Sequence, residues 1–234
     1  MGKREENVRK RRRRILDAAR RLIEASGPEA LSMRTLAAEA RLAVTTLYHH
    51  FPTKDDLLAA MAEDALAKLR PALARSSAKS PFEAVLALAT EPVRHVLAQK
   101  RVFWPILSAG YRNVATRAHP NNVLLYGNLI AYVAELIGAA QTAGYLLAPI
   151  EPRVVAAELF YAFRGALEDW SCAEIDDAAL ERRLRAAVLL NLLAVATPKA
   201  RPRLLRELAA LQARVDADLT RRFSASLRPR GRRP

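Results

Sequence analysis

The chain contains a single cysteine, Cys172, and only eight glycines among its 234 residues. One cysteine excludes a disulfide within the chain, which suits the reducing cytoplasm. The glycines are scattered, so the sequence has neither a phosphate-cradling loop nor a dinucleotide-binding fingerprint. No apolar segment of signal-peptide type follows the charged N-terminus, and no apolar run reaches membrane-spanning length. We therefore expect a cytoplasmic protein that does not bind a membrane.

Residues for metal or covalent chemistry are equally few. The four histidines and one cysteine form no set with the spacing of metal ligands. His49 and His50 are adjacent and would point about 100° apart on a helix, so they cannot chelate one ion together. Cys172 has no histidine near it in sequence. The sequence therefore predicts no metal, no cofactor and no catalytic constellation, and we do not expect an enzyme.

The composition predicts an all-α fold. Hydrophobic residues make up 51% of the chain, mostly as alanine and leucine, and no alternating run of valine, isoleucine and threonine is present. This is enough apolar material for one large domain or two small ones.

The net charge of +14 is concentrated at the two ends of the chain. Residues 1–60 carry +5, residues 61–197 carry +1 and residues 198–234 carry +8. A basic terminal module on a nearly neutral body is typical of a protein that neutralises phosphates at one end. The segment Lys3–Arg14, which holds the basic run Arg9–Arg14, has nothing to bury and predicts a mobile arm that contacts DNA phosphates or the minor groove. The apolar positions that follow predict a helix from Arg14 to Ala25, ended by Gly27-Pro28. The excess of positive charge at the C-terminus has an alternative explanation, as a run of charged residues that is solvated and contacts no DNA.

Local signals in residues 31–58 predict two short helices and the start of a third. Ser32 can cap the first, whose inward positions are Met33, Leu36, Ala37 and Ala40. In the second, Ala43, Leu47 and Phe51 should face inward. Thr45, Thr46, Tyr48 and His49 should face outward. Pro52 stops this helix, and Thr53 with Asp56 forms a variant of the capping box for the third. This is the layout by which a second helix enters the major groove of DNA.

The residues from Ile15 to Leu58 resemble the DNA-binding domain of TetR-family transcriptional regulators. The matching positions are Ile15-Leu16-Asp17-Ala18-Ala19, Gly27, Thr35-Leu36-Ala37, Thr46-Leu47-Tyr48-His49-His50-Phe51, Lys54 and Leu57-Leu58. The match covers about a fifth of the chain. Elsewhere the chain resembles the family only in its helical character and length.

The resemblance implies a DNA-binding surface on the second and third helices. Helical geometry puts Thr45, Thr46 and His49 near base edges, and the family match puts Tyr48, His50 and Lys54 near phosphates. The complete predicted set is Arg34, Thr35, Val44, Thr45, Thr46, Tyr48, His49, His50 and Lys54.

Two positions depart from the family pattern. Arg41 stands where the family usually has glycine, and Ala43 where it usually has a polar residue, so the second helix lacks a side-chain cap. Either the turn has a different shape or Arg41 itself reaches a phosphate.

The rest of the chain predicts a helical body. The third helix should link the DNA-binding domain to it, ending near residues 71–76. Pro92 should kink a helix that starts at Pro81, and Pro105 should interrupt another. Long helices are predicted at 123–143, 153–172 and from Asp176 or Asp177 to before Pro198. The helix at 153–172 is apolar nearly all round and must be covered on both sides, which suggests a second copy of the chain. The resemblance implies the same homodimer.

The predicted domains are a basic arm at 1–14, a helix-turn-helix domain at 15–58, a ligand-binding and dimerisation domain at 59–198, and a basic helix and tail at 199–234. A stripe of leucines from Leu204 to Leu219 could dock on the body or on the partner.

The resemblance implies a repressor that leaves a palindromic double-stranded operator when an apolar or amphipathic small molecule binds the body. The alternative is a ligand-independent dimeric or architectural DNA-binding protein. The candidate ligand-lining residues are Phe103, Trp104, Leu107, Tyr111, Tyr126, Leu129, Phe163, Leu167 and Trp170.

Overall fold

The computed structural model describes residues 2–27, 30–77, 79–104, 107 and 120–226. Within these ranges every regular element is helical, apart from one isolated antiparallel bridge between Leu146 and Ala196. The all-α prediction is therefore confirmed. By contacts the chain divides into two compact units, one formed by residues 1–68 and 98–126 and the other by residues 69–97 and 127–234.

The first unit contains the three helices of the predicted DNA-binding domain and the start of a fourth. They are α1 (Lys3–Ser26), α2 (Met33–Glu39), α3 (Val44–His50) and α4 (Lys54–Ser77). One apolar cluster joins them, and it includes Ile15, Leu36, Leu47, Phe51 and Leu57, none of which is exposed to solvent. Burying the apolar faces of α2 and α3 is what stabilises them, because a helix of seven residues is not stable alone.

The helix α1 begins eleven residues earlier than predicted, at Lys3 instead of Arg14. The arm was therefore wrongly predicted as separate from the helix. Arginine and lysine are good helix formers, and the first turn carries Glu5 and Glu6, which favour the positive helix end. Glu6 also pairs with Lys10 one turn later, at 2.7 Å. The helix ends as predicted at Gly27, which has a positive φ of 79°.

The turn between α2 and α3 is a Schellman motif with an arginine in the position that glycine usually takes. The amide of Leu42 donates to the carbonyl of Ala37 at 2.9 Å, and the amide of Arg41 donates to that of Ala38 at 3.0 Å. Arg41 has a φ of 52°, in the left-handed region that a side chain disfavours. The turn thus keeps its usual shape, and Arg41 bears the strain.

In the described part of the chain, the second unit is built mainly from six helices after α4. They are α5 (Pro81–Ala87), α6 (Glu91–Ala98), α7 (Pro120–Thr142), α8 (Pro152–Ser171) and α9 (Asp177–Ala194), followed by α10 (Arg201–Ser226). The predicted kink at Pro92 is wrong, because α5 has already ended and Pro92 is the second residue of α6. Proline is tolerated there, because the backbone N–H that it lacks would have no hydrogen-bond partner in the first turn of a helix. Pro105 lies outside the described residues.

The C-terminal helix α10 docks on its own unit. Leu204 is fully buried and Leu211 nearly so, whereas Leu219 is exposed. Asp218 on α10 accepts two hydrogen bonds from the Arg182 guanidinium on α9, at 2.6 and 2.9 Å. Of the two places left open for this helix, the body is the one observed, and α9 packs between α8 and α10.

Candidate DNA-binding surface

The helix α3 presents one face to the core and the other to solvent. Leu47 and the C-cap Phe51 are fully buried. Val44 and Tyr48, four residues apart, are 39% and 47% exposed, and Thr45 and His49 are exposed beside them. We call these four residues the outer face of α3.

Two of the side-chain directions predicted for this helix are wrong. Ala43 was expected to face inward, but it is exposed, because it is the N-cap of α3 and has an extended backbone. Thr46 was expected to face outward, but it is half-buried. As predicted, no side chain caps the N-terminus of α3.

On α2, Arg34 is exposed and Thr35 has a local structural role. The Thr35 hydroxyl donates to the carbonyl of Ala30 at 2.7 Å, and its oxygen accepts from the amide of Ser32 at 3.0 Å. The Ser32 hydroxyl in turn accepts from the amide of Thr35 at 3.1 Å, which confirms the predicted cap. The Thr35 hydroxyl is thus occupied at the start of α2.

The C-terminal end of α3 is surrounded by positive charge. Partial burial lowers the pKa of His50 below its ordinary value of 6.5, and the nearby charges of His49, Arg11 and Arg12 lower that pKa further. The rings of His49 and His50 lie 5.8 Å apart, edge to face. In this environment a bound anion would restore the protonated form of His50.

Lys54 is exposed as the first residue of α4. The capping box before it is confirmed, since the amide of Thr53 donates to Asp56 at 3.0 Å and the amide of Asp56 donates to the Thr53 hydroxyl oxygen at 3.0 Å. These bonds fix the start of α4 directly after α3, and with it the position of the Lys54 backbone.

Sequence reasoning missed two arginines that contact the ends of the helix-turn-helix. The Arg14 guanidinium donates to the carbonyl of Ala40 at 2.8 Å. The Arg12 guanidinium lies 4.4 Å from the centroid of the Phe51 ring and donates to the carbonyl of His50 at 3.4 Å. No local signal could have found them, because the two contacts span 26 and 38 residues of sequence.

The predicted ligand-lining residues are divided between the two units. Phe103, Trp104, Leu107 and Tyr126 belong to the first unit, and Leu129, Phe163, Leu167 and Trp170 belong to the second. Tyr111 lies outside the described residues. Phe103, Leu167 and Trp170 are buried, and the other described members are half-buried. A ligand-binding role for this set stays a prediction.

Trp170 and the residue before it, Asp169, both have clear structural partners. The indole N–H of Trp170 donates to Asp177 at 2.8 Å, and the residue is fully buried where α8 meets α9. Asp169, directly before Trp170 on α8, accepts hydrogen bonds from Arg183 and Arg222. Core packing and ion pairing therefore account for both.

Other kinds of site receive no support from the described part of the chain. Cys172 is exposed and forms no disulfide. Among the residues whose placement is described, no group of three or more histidine, cysteine or acidic side chains could hold a metal ion. None of the described helices is both long enough and apolar enough to cross a membrane.

Comparison with known proteins finds similar sequences over the helices that carry this surface. Residues 15–61 match the family model described as bacterial regulatory proteins, tetR family. The chain is 27% identical over 183 residues to the HTH-type transcriptional regulator UidR of Escherichia coli, which covers 76% of this chain and 90% of that protein. It is 49% identical over 53 residues to the HTH-type transcriptional repressor KstR of Mycobacterium tuberculosis, which covers 23% of this chain and 24% of that protein.

The fold is similar to that of FadR from Thermus thermophilus, a TetR-family transcriptional repressor solved in complex with lauroyl-CoA. The TM-score is 0.64 at 20% identity, over 80% of this chain and 97% of that one. The match to the family model spans α1, α2, α3 and the start of α4, the elements that present the outer face of α3. The chain therefore has the fold of TetR-family transcriptional regulators, and its residues 15–61, which contain α2 and α3, match the N-terminal model of that family.

Proposed function

We propose that the protein is a homodimeric repressor that binds a palindromic operator through α3 of each subunit and leaves it when a small molecule binds the helical body. The observation that carries the DNA-binding part is the outer face of α3, where Val44, Thr45, Tyr48 and His49 stand in solvent above a fully buried inner face. We assign Thr45 and His49 to base edges, with the half-buried Thr46 beside them, and Tyr48, His50 and Lys54 to phosphates.

Variants at Lys54 and Thr45 test this assignment. Lys54→Ala should weaken binding to all duplexes equally and reduce the dependence of log K on log salt by about one unit, because one phosphate contact is lost. Thr45→Val should instead change base preference, since a good base contact contributes about 1–3 kcal/mol of discrimination. Equilibrium binding to operator and random duplexes at several salt concentrations measures both. If Lys54→Ala leaves the salt dependence unchanged and Thr45→Val leaves the base preference unchanged, α3 is not the helix that recognises the operator.

The proposal of a homodimer is supported by apolar side chains on α8 and α9. Val154 and Tyr161, seven residues apart on α8, are 56% and 53% exposed, and Leu190 on α9 is 53% exposed. Covering them with the same residues of a second copy would remove this apolar surface from water. A two-fold dimer would also set two α3 helices about 34–36 Å apart for successive major grooves.

Leu190→Arg is the direct test of this dimer, with Leu205→Arg as its matched control. Leu205 is 45% exposed and lies on α10, outside the proposed interface. Sedimentation equilibrium should show a dimer for the unmodified protein and for Leu205→Arg, and a monomer for Leu190→Arg. A dimer that survives Leu190→Arg would place the interface elsewhere.

The effector part of the proposal is supported by the family and by the stock of half-buried aromatic residues in the body, such as Phe163. An apolar or amphipathic compound matches such a lining. FadR of Thermus thermophilus is a repressor of this fold that binds an acyl-CoA. The helix α4 supplies a route, because its residues run unbroken from Lys54 at the DNA-binding surface to Ser77 in the second unit.

The alternative is a dimeric DNA-binding protein whose body binds no ligand. Screening acyl-CoA thioesters and planar aromatic compounds for a raised melting temperature, and then titrating operator at saturating compound, separates the two. By linkage, a releasing ligand and the operator must weaken each other by the same factor, typically five- to 150-fold. If compounds bind but leave operator affinity unchanged, the ligand-released repressor is refuted and the alternative stands.

A further inference from the structure

The basic run on α1 is not uniform in its contacts. Arg12 and Arg14 contact the helix-turn-helix, whereas Arg11 and Arg13 make no hydrogen bond or ring contact with the described residues; all four are exposed. The contact from Arg14 spans 26 residues of sequence and that from Arg12 spans 38. These are therefore tertiary contacts between α1 and the ends of two other helices.

Each of the two arginines contacts the C-terminal end of a short helix. Ala40, whose carbonyl accepts from Arg14, is the C-cap of α2, and Phe51, under the Arg12 guanidinium, is the C-cap of α3. The last carbonyls of a helix have no partner within it and carry partial negative charge. A guanidinium supplies both donors and a compensating positive charge, and its planar face stacks on an aromatic ring.

The two contacts sit at the points that determine the direction of α3. The Arg14 contact is to the residue directly before Arg41, whose left-handed backbone turns the chain from α2 into α3. The Arg12 contact is at the opposite end of α3, where Phe51 is fully buried. The Arg12 contact thus holds the C-terminal end of α3, and the Arg14 contact holds the end of α2, just before the turn that leads into α3.

We propose that Arg12 and Arg14 are positioning residues for operator recognition, which hold α3 at the angle that brings its outer face to the base edges. Arg11 and Arg13 act through their charge alone. The inference rests on the proposed use of α3 to read the operator. It predicts that the four consecutive arginines divide by function, with a positioning residue at every second place.

Lysine substitutions separate positioning from charge. Arg12→Lys and Arg14→Lys keep the positive charge but lose the planar fork, and Arg11→Lys and Arg13→Lys are the matched controls. We expect each of the first pair to lower operator affinity by about fivefold to twentyfold, while affinity for a random duplex changes by less than about twofold and the salt slope is unchanged. The two controls should leave the ratio of operator to random affinity unchanged.

Alanine at Arg11 and Arg13 should give the opposite pattern of binding. Arg11→Ala and Arg13→Ala should weaken operator and random duplexes by the same factor and reduce the salt slope. The active fraction of every variant is fixed by stoichiometric titration at low salt, so that a loss of folded protein, which would affect both duplexes equally, is not counted as a loss of recognition.

Two results would overturn the inference. One is an unchanged ratio of operator to random affinity in both Arg12→Lys and Arg14→Lys. The other is an equal loss for both duplexes with a reduced salt slope, which would make these arginines phosphate contacts. If the unmodified protein itself shows no preference for any operator, it is the proposed function that fails, and the two failures are thereby distinguished.

Discussion

Replacing Arg41 with glycine should stabilise the protein and weaken its binding to DNA. Arg41 occupies the left-handed position of the Schellman motif with a φ of 52°. That conformation costs a residue with a side chain about 1–2 kcal/mol. Glycine avoids this cost but loses about 0.5–1 kcal/mol through its greater freedom in the unfolded chain. The net gain expected for Arg41→Gly is therefore about 0.5–1 kcal/mol.

The matched comparison is Arg41→Ala. Both variants lack the guanidinium, so the difference between them reports the backbone alone, and glycine should be the more stable by about 0.5–1 kcal/mol. Urea unfolding measures this as a higher midpoint at an unchanged m-value. In a chain of 234 residues the melting temperature should rise by about 1–4 °C. An Arg41→Ala protein as stable as Arg41→Gly would refute the reasoning.

The same pair of variants shows why a strained arginine stands at this turn. Its side chain is exposed between α2 and α3, and strain of this kind persists where function requires the residue. We expect Arg41→Gly and Arg41→Ala to lose affinity equally for operator and random duplexes, with the salt slope reduced by about 0.9, the value for one phosphate. Unchanged affinity in both variants would exclude a phosphate contact for Arg41.

Three further predictions concern other positions. Ala43→Ser should supply the missing cap of α3 and raise the free energy of unfolding by about 0.5–1 kcal/mol, and an unchanged urea midpoint would contradict it. Because the pKa of His50 is lowered, the free protein should lose stability as pH falls below 6.5, where the unfolded chain takes up a proton that the folded chain does not. A phosphate would oppose that shift, so DNA affinity should rise from about pH 8 to pH 6, and His50→Gln should flatten the profile. Arg182 lowers the pKa of Asp218 by hydrogen bonding, so this contact should be present above the ordinary value of 3.8 and lost as pH falls through the lower folded value. Asp218→Ala should therefore cost about 1–2 kcal/mol in thermal unfolding at pH 7, and less as the pH falls through that lower value.

The features predicted correctly from sequence are those specified by neighbouring residues. The caps at Ser32, Thr53 and Asp176 each involve a side chain and an amide three residues apart, so the sequence contains the whole interaction. The inward stripes of α1 and α2 follow the helical period in the same way. Pro152 begins α8 as its fixed φ predicts.

The features that were missed depend on residues far apart in sequence or on weak local signals. No glycine or proline separates α5 from α6, so the break at residues 88–90 could not be distinguished from a continuous helix. The contacts of Arg12 and Arg14 cross 26 to 38 residues and are invisible to a periodic pattern. The division of the predicted ligand-lining set between the two units is likewise a result of long-range packing.

The position of α10 has a consequence for the order in which the chain folds during synthesis. Among the described residues, the apolar cluster of the DNA-binding unit uses none later than Val102, whereas Arg203 at the start of α10 pairs with Glu83, 120 residues earlier. Domains fold as units, with the N-terminal one first, as the ribosome releases the chain. The DNA-binding helices can therefore be complete while the second unit still waits for its last helix. A ribosome that stalls before α10 is made would then hold a nascent chain whose DNA-binding core is folded and whose body is open, with the face of α9 that α10 covers exposed to chaperones and proteases.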